Sequence, residues 1–168
     1  YGRREELFGI HQALAGAVDS YARARLAGHP VISFLVGKSM SGAFLAHGYQ
    51  ANRIIALKDA GVMVHAMGKE SAARVTLRTV DELEKLAASI PPMAYDIESY
   101  ATLGLLSDLL TVVNPEQPTT EDIACVQDAF LYALNDIQAA GSTGLEHRLH
   151  GENRQMSKRV RELLREQW

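Results

Sequence analysis

Gly37-Lys38-Ser39-Met40-Ser41-Gly42-Ala43 joins an apolar run to a helical pattern through a stretch of mostly small side chains. Such a stretch could cradle a phosphate, present a nucleophilic serine, or bring bare backbone N–H groups to an oxyanion. The phosphate reading fails because the upstream glycine of a P-loop would fall at Ile32. The nucleophile elbow needs Gly-x-Ser-x-Gly, and Gly37-Lys38-Ser39-Met40-Ser41 puts serine where the last glycine belongs. Backbone chemistry remains. If a helix starts at Gly42-Ala43, its first N–H groups have no internal acceptor and carry the positive end of the helix dipole. One well-aimed donor of this kind lowers an oxyanion transition state by roughly 3 kcal/mol. The candidate donors are Gly42 and Ala43. Ser41 either adds its own N–H or narrows the hole with its side chain. Small residues at such a junction also simply let a helix pack close to a strand.

The other reactive side chains make no constellation. His147 and His150 are three apart, but no third ligand accompanies them, so no metal site is expected. His65 falls in a strand pattern and His47 in a helical one, and packing explains each. His11 and His29 fall on a helix surface and in a turn. Cys125, the single cysteine, falls in the apolar pattern of a helix, where burial as a small hydrophobe is expected and no internal disulfide is possible.

The elements around the junction follow from periodicity. Residues 5–27 carry Leu7, Ile10, Leu14, Val18, Tyr21 and Leu26 at helical spacing, ended by Gly28-His29-Pro30. Residues 31–36, 53–57, 62–66 and 109–113 are short, β-branched and nearly all apolar, as strands buried on both faces of a parallel sheet are. Residues 37–42 read as a turn and 43–49 as a helix. Helical segments are expected from Lys69, from Thr79 with its acidic first turn, over 95–103, and from Thr119 through Ala140. Residues 141–144 read as a hinge and 145–166 as a charged helical tail. Alternating strands and helices give an α/β class, organised as a domain over 1–140 and a helical extension over 141–168.

Bulk composition agrees. The 168 residues are 47% hydrophobic and 22% charged, which suits one globular domain. A net charge of −3 argues against nucleic acid as a partner. No apolar run is long enough for a membrane span and no leader pattern is visible, so a cytoplasmic setting is expected.

Gly37 to Phe44 resembles the second oxyanion segment of carboxyltransferases of the crotonase superfamily, where Gly-Gly-Ala-Tyr occupies the turn. Tyr1-Gly2-Arg3-Arg4-Glu5-Glu6 resembles the loop and helix start after their first oxyanion segment. Residues 62–68 resemble their next strand with its Met-Gly turn, and 103–115 resemble their late Gly-x-(Val/Ile)-Asp segment. Ala27-Gly28-His29-Pro30, Gly-Lys-x-x-Ser-Gly-Ala-Phe-Leu-Ala from Gly37, His65-Ala66-Met67-Gly68 and Ala73-Arg74-Val75-Thr76 together are similar to the gamma subunits of biotin-independent malonate decarboxylases. Ser41 departs from the broader pattern, standing where the carboxyltransferases place the first glycine.

The resemblance implies a crotonase-like (ClpP/crotonase) spiral of parallel strands with surrounding helices, whose N-terminal strands are missing from this chain. It implies half of an active site completed by a beta subunit, with an acyl-carrier subunit and an alpha (acyl-transfer) subunit as further partners. The substrate would be a malonyl thioester on a dephospho-coenzyme A-derived prosthetic group, or on coenzyme A, presented by the carrier; no cofactor would be bound covalently here. Ser41, Gly42 and Ala43 would hold the thioester oxygen, and Gly37, Met67 and Gly68 would line the substrate site. The proton donor stays open, with Tyr49, His47 and His65 as candidates by type. The tail, with Arg148, Arg154, Lys158, Arg159, Arg161 and Arg165 among glutamates, suits either a solvated helix or contact with an acidic carrier. Alternatives are a biotin-dependent carboxyltransferase subunit, a coenzyme A thioester hydratase, a Clp-like hydrolase using Ser39 or Ser41, and a non-catalytic scaffold.

Overall fold

A computed structural model describes residues 3–168. In chain order the helices are α1 (Arg3–Leu7), α2 (Ile10–Leu26), α3 (Lys69–Val75), α4 (Val80–Ala87), α5 (Ile97–Ala101), α6 (Thr120–Ala140) and α7 (Gln155–Gln167). The strands are β1 (Ile32–Leu35), β2 (Lys38–Met40), β3 (Arg53–Leu57), β4 (Met63–His65) and β5 (Asp108–Leu110). The class is mixed α/β, and all strand pairing between these elements is parallel, as unbroken apolar runs imply.

β3 is buried along its whole length and lies between β1 and β5 in a three-stranded sheet. Ile32 pairs with Arg53 and Leu57 with Leu110 at the two margins. Ile54, Ile55, Val62 and Ile97 are almost completely buried. α6 covers one side, where Phe130 meets Phe34 edge-on at 5.5 Å between ring centres.

Several boundaries differ from expectation for identifiable reasons. The N-terminal helix breaks at Phe8-Gly9, where Gly9 takes φ 78, a left-handed value. Residues 37–42 are more than a turn: Lys38–Met40 form β2, which pairs with β4 in a separate two-stranded sheet. The last strand stops at Leu110 because the carboxylate of Asp122 takes the Val113 N–H at 2.7 Å, away from any ladder. The helix expected over 95–103 is limited to Ile97–Ala101, capped by Asp96 on the Ser99 N–H.

Cys125 is exposed, not buried. The inward stripe of α6 is Asp122, Ala129, Ala133 and Ile137, and Cys125 lies about 75° from its middle at 100° per residue.

The expected hinge is pinned. The Thr143 carbonyl accepts from Asn52 Nδ2 at 2.6 Å, and the Thr143 hydroxyl donates to the Arg25 carbonyl at 2.5 Å. Asn52 is itself wholly buried and accepts the Val31 N–H at 2.8 Å. The tail begins as two 3-10 turns, Glu146–His150 and Glu152–Arg154, before α7. Arg148, expected on a solvated helix, is buried.

Candidate active site

β2 and β4 run side by side with Met40 opposite His65, so both chains leave the small sheet at the same edge. Ser41 and Ala66 are therefore the first residues beyond that edge on the two segments, leading into Gly42-Ala43 and Met67-Gly68. Gly37 is not at this edge. It leads into β2, with its carbonyl accepting from the Met63 N–H at 3.3 Å, and it lies four residue steps before Ser41, about 13 Å at 3.3 Å per residue.

Helical hydrogen bonding begins at Ser41 and Gly42 and passes directly into a π-helical turn, Ala43–His47, then a 3-10 turn, Gly48–Gln50. Ser41 has φ 54, a left-handed value that a glycine adopts without steric penalty. This accounts for glycine at the matching place in the carboxyltransferase pattern. Gly42 has φ −58 and ψ −26, which any residue can adopt, so its missing side chain matters for approach and not for backbone shape. In a parallel ladder donors and acceptors alternate. The Met63 N–H bonds the Gly37 carbonyl before the first pair, and the pairing ends at Met40 and His65, short of Ser41. Gly42 and Ala43 follow at the head of the helix, where intrahelical acceptors do not reach.

The surface here is open. Ser41 and Ala43 are exposed and Gly42 is half-buried. Met40 and Met67, on the two adjoining chains, are 41% and 42% exposed and give the edge an apolar face.

The far end of the same helix is held firmly. Phe44 is buried and its ring lies 4.9 Å from that of Tyr49. Gly48 lies under Phe44 so closely that a Cβ there would run into the ring. Ser33 Oγ donates to the Gly48 carbonyl at 3.0 Å. The Tyr100 hydroxyl donates to that of Tyr49 at 2.9 Å, and Arg148 Nη1 donates to the Tyr49 carbonyl at 2.7 Å. Burial pushes both tyrosines above their ordinary pKa, so they are neutral phenols. Arg148 and Tyr100 carried no signal in the sequence: one sits among alternating charges, the other in a short helix.

The candidate proton donors are dispersed. His47 stacks on Tyr21 at 5.6 Å and lines a cavity of about 230 Å³ with Ser39 and Gly48. His65 packs against Tyr95 at 4.9 Å, and burial, with Lys38 adding to it, lowers its pKa and favours the neutral ring. Lys69 lies 5.4 Å from the centre of the Tyr95 ring and bonds Glu84 at 2.7 Å. Among the described residues no group of three His, Cys, Asp or Glu could hold a metal. No described helix is long and apolar enough to cross a membrane.

The model of the family described as malonate decarboxylase gamma subunit matches residues 1–168, the tail included. The chain belongs to that family. Solved structures agree. The chain is 67% identical to a chain of a Pseudomonas malonate decarboxylase hetero-tetramer determined with coenzyme A, at TM-score 0.93, covering 100% of this chain and 64% of that one. It is 63% identical to a chain of the Pseudomonas MdcD–MdcE hetero-dimer, at TM-score 0.86, covering 100% and 62%. Among curated proteins, the malonyl-S-ACP:biotin-protein carboxyltransferase MADD of Malonomonas rubra is 30% identical over 149 residues. That match takes in 88% of this chain but 48% of the relative, so the chain spans about half the length of that relative. Transcarboxylase 12S, 21% identical at TM-score 0.59, shares the fold over 83% of this chain. Tyr1 and Gly2, which open the likeness to the loop after a first oxyanion segment, lie outside the described residues.

Proposed function

We propose that this gamma-family chain works with a beta subunit to decarboxylate a malonyl thioester to the acetyl thioester, supplying the N–H groups of Gly42 and Ala43 to the thioester oxygen. The open helix start at the end of β2 is the observation that carries this reading. Breaking the bond between the α carbon and the carboxylate releases CO2 and leaves an electron pair that moves into the enolate oxygen. Two backbone donors stabilise that oxygen without a charged side chain. Decarboxylation also requires that the carboxylate is not held in a tight salt bridge, which would stabilise the ground state and slow its loss. The α carbon then takes a proton.

In this reading Met67 and Gly68 form a wall of the thioester site, and the exposed apolar edge is covered by the partner. Ser41 shapes the turn with its left-handed backbone and can add its own N–H, and Gly37 leads into β2. The chain belongs to a crotonase-type spiral whose other strands lie outside it. A cytoplasmic complex follows, in which alpha and acyl-carrier subunits bring the malonyl group on a dephospho-coenzyme A-derived arm.

The test is Gly42→Pro, which deletes one donor at a φ close to proline's own. Because a residue before proline is crowded in helical conformations, it is combined with Ser41→Gly, and Ser41→Gly alone is the control. In the assembled beta–gamma complex the double variant loses about 100-fold or more in kcat while the control stays active, as expected for one oxyanion donor. A folded, assembled double variant with full activity overturns the role.

The carboxyltransferase MADD supports a second reading, a subunit that passes the carboxyl group to biotin. Inhibition of turnover by avidin would favour it; turnover indifferent to avidin favours direct decarboxylation.

A further inference from the structure

Arg148 is the most anomalous side chain in the molecule. It is 7% exposed, and among the described residues only Nη1 has a hydrogen-bond partner, the Tyr49 carbonyl at 2.7 Å. Nε and Nη2 are buried with no hydrogen-bond partner among the described residues. Burial lowers its pKa, and Arg25 and Arg154 push it the same way. A buried cation with three of its five N–H donors unmet and no carboxylate acting on it among the described residues costs stability. A methionine of similar length would fill the space without that cost, so packing does not account for the guanidinium.

Its place in the fold does. Tyr49 closes the short helical run whose first residues are Ser41, Gly42 and Ala43, and its ring touches Phe44, the residue after Ala43. The 3-10 segment carrying Arg148 is fastened on both sides. Thr143 is bound to Asn52 and Arg25 before it, Asn153 Nδ2 donates to the Thr102 carbonyl at 3.1 Å after it, and Gly151 lies against the Leu103 carbonyl with no room for a Cβ. A cation on the final carbonyls of a helix also complements the dipole whose positive end faces the other way.

We infer that Arg148 is a positioning residue for decarboxylation: residues 143–154 form a strap, and the guanidinium on the Tyr49 carbonyl sets the register of the helix that aims the Gly42 and Ala43 N–H groups. The inference rests on the oxyanion reading above. A π-helical turn is a less regular device than an α-helix, so its two ends need separate anchors. β2 holds one, and Arg148 holds a last carbonyl of the other, beside Ser33 on Gly48 and Tyr100 on Tyr49.

The experiment uses the assembled beta–gamma complex with Arg148→Met, Arg148→Lys and Arg148→Ala. In Arg148→Met, kcat falls about tenfold or more with KM for the malonyl thioester within about twofold, as misaligned donors require, while Tm is unchanged or raised. Arg148→Lys, which can still donate to the carbonyl, recovers part of kcat. Methylguanidinium added to Arg148→Ala restores turnover. Full kcat in a folded Arg148→Met complex overturns the inference. So does a loss of kcat that tracks a loss of Tm, with no recovery by lysine or methylguanidinium, because that marks a merely structural contact. The Ser41→Gly/Gly42→Pro result separates the two levels: if that variant is inactive while Arg148→Met is fully active, the oxyanion reading stands and only the strap fails.

Discussion

Ser41 shows how much one dihedral angle decides. At φ 54 an L-residue keeps Cβ close to the following carbonyl, at about 1–2 kcal/mol, while glycine there loses more backbone freedom on folding, about 0.5–1 kcal/mol. The balance favours glycine slightly. Ser41→Gly is therefore expected to raise stability by up to about 1 kcal/mol, read from a denaturant midpoint, and to leave kcat of the assembled complex within about twofold. A large fall in kcat would mean that the hydroxyl touches the substrate, and the Ser41 side chain would then belong in the mechanism. From the sequence this position was visible only as a departure from a glycine pattern. Its left-handed conformation comes directly after a strand, β2, whose partner lies 25 positions away.

Elements were legible where their causes are local. Thr79 and Thr119 each complete a capping box, with Glu82 and Asp122 at the third helical position, and both helix starts were expected from those residues. The buried strands were expected from apolar runs. β2 was not, because Lys38-Ser39-Met40 has neither apolar alternation nor β-branching; its pairing with β4 makes it a strand. Arg148 was read as surface for the same reason: charge pattern reports exposure only when the chain is not folded back on itself. Thr119→Ala removes an acceptor for the Asp122 N–H at 3.1 Å, and a loss of about 1 kcal/mol is expected by chemical denaturation. Asp122 adds a pH dependence. The N–H groups of Thr119 and Val113 hold its carboxyl below the ordinary value of 3.8. A depressed folded pKa contributes stability that is complete above the unfolded value and is lost as pH falls through the folded one. Thermal melts of wild type should therefore drop more steeply below about pH 4 than those of Asp122→Asn; parallel curves would remove Asp122 as the cause.

At the scale of the whole molecule, Asn52 is the knot between the sheet and everything after α6. It is wholly buried, and it links Val31 at the entry to β1 with Thr143 at the start of the strap. Asn52→Ala removes both bonds and leaves the Val31 N–H and the Thr143 carbonyl to find other partners in a dry place. Unmet buried groups cost about 1–3 kcal/mol each, so a total loss of about 2–5 kcal/mol is expected, a large part of a domain's stability. Removing residues 143–168 takes away the same Thr143 contacts, and with them the Arg148 bond to the Tyr49 carbonyl in the helix at 41–50. If the tail were an appendage, that truncation would leave stability and activity near wild type, and Asn52→Ala would be the more damaging change. With the strap as described, the truncated chain melts lower than Asn52→Ala and shows faster amide exchange over 41–50, because it loses the clamp on Tyr49 as well as the knot at Asn52. Exchange over 41–50 equal in the two variants would place the tail outside the machinery of the site, and the boundary between domain and extension would then return to residue 140.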